Sequence, residues 1–206
     1  MRMKKMSMKI QQFLAVLFVA GNLGGVFPIV GQSGVYRPHQ FAQWLSAIQM
    51  HPTHHMISAM LFWVGAGAGV FLGLWFCRHQ QWKVGSLFAL ASFWNWCWTP
   101  VPLLLAMLSE SNLGNAHLWL GMALFADAIF NGLLGLSMMF LGWNLRTQFP
   151  KIGYSGMLIG TATIFVMGQF YFEICANFLG VAGPLWLGWW LLWAVYQPQL
   201  SNGLKE

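Results

Sequence analysis

Residues 116–143 read AHLWLGMALFADAIFNGLLGLSMMFLGW, with one acid, Asp127, and no Lys or Arg. Crossing about 30 Å of hydrocarbon takes about 20 helical residues at about 1.5 Å each, so this run is long enough to span a bilayer. In lipid every backbone polar group needs a partner within the protein, which only a helix or a closed barrel supplies. The chain has no ten-residue alternation of apolar and polar side chains that would suggest a barrel. The run is therefore expected to be a transmembrane helix.

Five more apolar stretches flank it, at 10–31, 53–76, 84–108, 154–177 and 181–197. Together they predict an all-α polytopic bundle of six transmembrane helices, occupying 1–206 as a single transmembrane domain. The last stretch is short and bounded by Gly180, Gly183 and Pro184, which predicts a tight hairpin between the fifth and sixth helices. Composition agrees, being 58% hydrophobic and only 7% charged. A soluble domain carries about 25% charged residues, and this chain could not cover a water-facing surface.

The net charge of +6 raises two kinds of partner, nucleic acid and an anionic membrane. The basic residues are scattered at segment ends, which argues against nucleic acid and for a topology signal. With the N-terminus inside, Arg2, Lys4, Lys5, Lys9, Arg78, Lys83, Arg146, Lys151 and Lys205 face the cytoplasm and only Arg37 lies outside. This asymmetry predicts an N-in, C-in topology, and the expected location is the bacterial inner (cytoplasmic) membrane. Trp44, Trp119 and Trp186 would mark the outer interface, and Trp75, Trp82 and Trp143 the inner one.

The N-terminus resembles a signal peptide, with Arg2, Lys4, Lys5 and Lys9 before Phe13–Ala20. The apolar run resumes after Asn22 and continues to Val30, so an uncleaved first helix is expected. Between helices 1 and 2, Phe41, Trp44, Leu45 and Ile48 recur at i, i+3, i+4 and i+7. This predicts a short interfacial amphipathic helix in the outer leaflet. Glycines spaced by four, at Gly21 and Gly25, at Gly65, Gly69 and Gly73, and at Gly156 and Gly160, predict close helix contacts. Cys77, Cys97 and Cys175 are far apart and form no metal or disulfide motif.

Polar groups inside a membrane are costly, so each is expected to have a partner or a task. His51, His54 and His55 open the second helix above a stripe through Ser58, Phe62, Gly65 and Gly69. His117 starts the fourth helix, and Asp127 lies about 15 Å deeper along the axis, with Asn131 one turn beyond. Either a cation or proton occupies Asp127, or the acid ties helices together by bonding to Asn95 or Asn131. Gln169, Glu173 and Asn177 are spaced as a stripe on the fifth helix, and Glu110 is expected to be solvated in an outer loop. Pro100 and Pro102 should kink the third helix, whose centre is rich in Trp.

Two enzyme motifs fail on chemistry. Gly153-Tyr154-Ser155-Gly156 is similar to the serine motif of rhomboid proteases, but the last helix has no histidine to act as base. The zinc-protease pattern H-E-x-x-H is absent. Three functions remain. One is an outward-facing polar pocket of His54, His55, Asn95, His117, Asp127, Asn131 and Glu173 that binds or transports a small ligand, cation or proton. Another is a metal or haem protein in which His51, His54, His55 and His117 hold a transition metal or a haem. The third is a non-catalytic subunit or assembly factor that docks a membrane partner or a second copy of itself.

Overall fold

The computed structural model describes residues 2–32, 34–78, 81–107 and 115–203, with side chains described between 9 and 193. In chain order the helices are α1 (Arg2–Val26), α2 (Phe41–Met50), α3 (Pro52–Arg78), α4 (Trp82–Trp98), α5 (Val101–Met107), α6 (Ala116–Leu145), α7 (Pro150–Val166) and α8 (Glu173–Gly203). Short 3-10 turns lie at Phe27–Ile29 and Met167–Phe170. No strand occurs among the described residues.

Four helical stretches are long and apolar enough to cross a membrane: Lys9–Ile29, Pro52–Arg78, Ala116–Leu145 and Glu173–Trp193. The other two expected spans are interrupted. Each of α4 and α7 has 17 residues, a rise of about 25 Å, and each then breaks. After α4 the chain turns at Thr99-Pro100 and resumes as α5, because Pro100 and Pro102 lack the N–H groups a continuous helix needs. After α7 it tightens into the 3-10 turn, where the Gly168 carbonyl accepts from the Tyr171 and Phe172 N–H groups at 3.0 and 2.9 Å.

This second break corrects the expected boundary between the last two helices. The turn lies at residues 167–172, and α8 runs unbroken through Gly180, Gly183 and Pro184. A Cβ added at Gly180 or Gly183 would meet nothing within 4 Å, so these glycines sit on an open face. Glycine and proline are tolerated inside transmembrane helices where freed backbone groups can be satisfied. The expected stripe of Gln169, Glu173 and Asn177 is thereby split: Gln169 is in the 3-10 turn, while Glu173 and Asn177 are on α8.

The six long helices form a closed ring. Along it α1 packs on α3, α3 on α4, α4 on α6, α6 on α7, α7 on α8, and α8 back on α1. Aromatic side chains fill the centre: Phe18 lies 5.0 Å from Phe88 and 5.7 Å from Trp186, and Trp190 lies 4.7 Å from Phe88. Trp186 is therefore a core residue rather than an interfacial one, as is Trp44, whereas Trp119, Trp82 and Trp143 are exposed. The glycine pattern acts as expected. A Cβ on Gly21 would lie 2.5 Å from Gly65 Cα, and one on Gly160 would lie 2.6 Å from the Gly135 carbonyl.

The predicted amphipathic helix is present as α2, with its orientation changed. Its apolar face is turned onto the bundle. Trp44 and Ile48 are fully buried against Val101 and Leu105 of α5 and Leu120 and Leu124 of α6. α2 rests against α3, α5 and α6.

Candidate functional site

The sequence-predicted residues are divided among several places. On α3 the first turn begins with Pro52, which suits a position where no N–H is needed. The following turn presents His54 and His55 about 100° apart, so only one can face the bundle. His55 is 2% exposed, while His51 and His54 lie outside with their rings stacked 5.6 Å apart. The His55 Nε2 is 2.7 Å from Gln32 Oε1. Gln32 donates its own Nε2 N–H to the Pro28 carbonyl at 3.1 Å, so its Oε1 is the acceptor and His55 carries the proton on Nε2. Gln32→Leu should strand that buried N–H and cost about 1–3 kcal/mol, read as an earlier unfolding midpoint in a detergent titration. His54→Ala, which removes an exposed ring, should stay within about 0.5 kcal/mol of wild type.

His117 is exposed near the start of α6. It borders an apolar recess of about 410 Å³ formed by Phe41, Leu118, Gly121, Met122, Phe125 and Phe170. Glu173 is exposed as the first residue of α8. Asn95 is buried on α4, without a hydrogen bond to Asp127. Glu110 lies outside the described residues. Among the described residues no group of three or more His, Cys, Asp or Glu side chains could hold a metal ion. His51, His54, His55 and His117 do not come together as such a group among the described residues. Two of these rings face outward, one is bonded to Gln32, and the fourth is on a different helix.

Asp127 and Asn131 do come together, and Gln169 joins them. Asp127 Oδ2 accepts from Gln169 Nε2 at 2.5 Å and from Asn131 Nδ2 at 3.1 Å. Asn131 Nδ2 also reaches the Asp127 carbonyl at 2.8 Å, one turn back on α6. Gln169 is 0% exposed and Asn131 1%. The far ends of both amides, Gln169 Oε1 and Asn131 Oδ1, are buried without a hydrogen-bond partner. Gln169 can reach across because the chain leaves α-helical geometry at Met167–Phe170.

The loop between α1 and α2 closes over this cluster. Gly31, Gly34, Tyr36 and His39 all have positive φ, at 81, 77, 53 and 62°. At Gly34 the requirement is steric as well, since a Cβ would lie 2.7 Å from the Trp44 backbone N. Tyr36 stacks on Trp44 at 4.7 Å. Burial, and secondarily the negative charge of Asp127, push its hydroxyl well above the usual tyrosine range, so it stays a neutral donor. Arg37 donates to Asn177 Oδ1 of α8, tying the loop to the helix that packs beside α1.

Sequence reading named Asp127 and Asn131 but did not place Gln169, Gln32 or Tyr36 in a site. Gln169 was legible as a polar residue in an apolar run, but its partner depended on the unforeseen helix break. Gln32 and Tyr36 had no signal beyond the glycines around them. No protein-family model matches the chain, and neither a curated protein nor a solved structure matches it.

Proposed function

We propose that this chain is a membrane protein of six crossings, N-in and C-in, in a bacterial inner membrane, and that it binds or transports a small cation or proton at Asp127. The single observation that carries the reading is the Asp127 carboxylate, held by two amides that are themselves 0% and 1% exposed. Asp127 itself is partly exposed, and ionisable groups within apolar helices are costly and tend to mark ion or proton paths. The α1–α2 loop and α2 lie over the same end of the bundle and make the access side the outer one in this topology.

The ring of six long helices supports six crossings. In this reading the third crossing is completed by α5 and the fifth by the 3-10 turn, which make up the length that 17 residues lack. Broken helices are tolerated at membrane depth where the loosened backbone lines protein rather than lipid.

Two measurements test the proposal. Reporter tags at both termini should label only from the cytoplasmic side, whereas labelling from opposite sides would exclude the six-crossing map. In liposomes carrying an internal pH dye, the wild-type protein should respond to an imposed cation or pH gradient, and Asp127→Asn should respond no more than empty liposomes. A variant as active as wild type would remove Asp127 from the function.

A further inference from the structure

The two amides beside Asp127 each satisfy one end and leave the other dry. Their N–H groups converge on one carboxylate oxygen, while Gln169 Oε1 and Asn131 Oδ1 are buried with no donor. A buried acceptor without a partner is costly. A core built only to hold helices together would be better served by leucine or methionine at both positions. The cluster therefore has unused acceptor capacity around its single negative charge.

An amide turned by half a revolution exchanges its two ends with almost no change in shape. Turned so, Gln169 Oε1 and Asn131 Oδ1 would take the places of nitrogens now 2.5 and 3.1 Å from Asp127 Oδ2. Three oxygens gathered this closely repel one another unless a positive charge lies among them. Resting on the reading that Asp127 is the working site, we propose that its occupant is a bare alkali-metal cation of sodium size, bound by Asp127 with the side-chain oxygens of Asn131 and Gln169.

The chemistry narrows the ligand to this class. All three donors are oxygens, which suit hard cations, and no imidazole or thiolate is bonded into the cluster to favour zinc or copper. One carboxylate balances one positive charge. The other described acid, Glu173, is exposed at the start of α8, so a divalent ion would keep an uncompensated charge in a low-dielectric site. The chain leaves α-helical geometry at Met167–Phe170, the turn that carries Gln169, and discontinuous helices are where membrane proteins tend to hold sodium. Tyr36, Arg37 and the Asn177 amide close the same end, and a proton on Asp127 competes with the cation for one site.

The test is equilibrium binding of radioactive sodium to the full-length protein in detergent, with thermal midpoints in sodium, potassium and choline chloride at equal ionic strength. Saturable binding near one sodium per chain is expected, with a higher midpoint in sodium than in choline. Asp127→Asn and Gln169→Leu should each weaken sodium binding by about tenfold or more, with size-exclusion profiles showing that they remain folded. Wild-type protein that binds no sodium, with equal midpoints in all three salts, overturns the proposal whatever the variants do. In that case, proton uptake after a pH jump that disappears in Asp127→Asn leaves Asp127 a proton site. If that uptake is unchanged in Asp127→Asn, the functional assignment of Asp127 falls as well.

Discussion

Gly135→Val is expected to lower the unfolding midpoint in detergent more than any exposed substitution and to abolish the response that depends on Asp127. A Cβ at Gly135 would lie 2.5 Å from the Gly160 carbonyl and 2.9 Å from the Ile164 backbone N. Both obstacles are backbone atoms of α7, so no side chain can turn aside to relieve them. Overpacking of a tight interior costs about 1–3 kcal/mol, occasionally more, and valine adds two methyl groups beyond that first carbon. The functional loss follows from position. Asp127, Asn131 and Gly135 are spaced i, i+4 and i+8 on α6, so the glycine contact lies on the face that carries the acid. Pushing α7 away there also displaces the 3-10 turn that carries Gln169. Gly180→Ala is the control. Nothing lies within 4 Å of its Cβ, and alanine favours a helix over glycine by about 1 kcal/mol, so its midpoint should stay level or rise. If Gly135→Val matched wild type in stability, the close approach of α6 and α7 would be wrong.

These two glycines also show what the sequence could and could not tell. A four-residue spacing of small residues announces that a helix face can be approached closely, and the contacts at Gly21, Gly65 and Gly160 follow that rule. The same residue type at Gly180 and Gly183, next to Pro184, signals a turn in a water-soluble chain. In a long apolar helix such as α8 that inference loses force. The turn formed instead at Gly168, just before Phe170-Tyr171-Phe172. Hydropathy pointed to the four helices that are long and apolar enough to cross a membrane, since a span needs that length and composition. It could not locate the breaks at Thr99 or Gly168, because local backbone strain scarcely alters hydropathy.

The candidate site was legible to the same degree. Asp127 stands out from its apolar run by cost alone, and its pairing with Asn131 follows from helical spacing. The three histidines at the start of α3 looked like a cluster because they are adjacent in sequence. A helix turns neighbours about 100° apart, so His55 went inward to Gln32 while His51 and His54 stayed outside. Partners contributed by loops, such as Gln32 and Tyr36, depend on where a chain with four positive-φ residues comes to rest, which no periodicity encodes.

Asp127→Leu is expected to destabilise the bundle severely, and Asp127→Asn only slightly, although both remove the charge. In wild type the carboxylate accepts from Gln169 and from Asn131. Leucine accepts nothing, so the Gln169 N–H loses its partner, while Asn131 keeps its bond to the backbone carbonyl of residue 127. With both amide oxygens already unpaired, the cluster would hold a wholly unsatisfied glutamine at 0% exposure. The cost per stranded group is about 1–3 kcal/mol. Asparagine at 127 keeps an oxygen within reach of Gln169, nearly isosteric with the acid, and the neighbouring amides can turn to suit it. Stability and activity should therefore separate: Asp127→Asn folds and is inactive, and Asp127→Leu unfolds early. Paired unfolding titrations and liposome assays on the two variants measure this directly. If Asp127→Leu were more stable than wild type, the acid would be bearing a cost for function that the amides do little to offset. If Asp127→Asn unfolded as early as Asp127→Leu, the carboxylate charge itself would be holding the helices together.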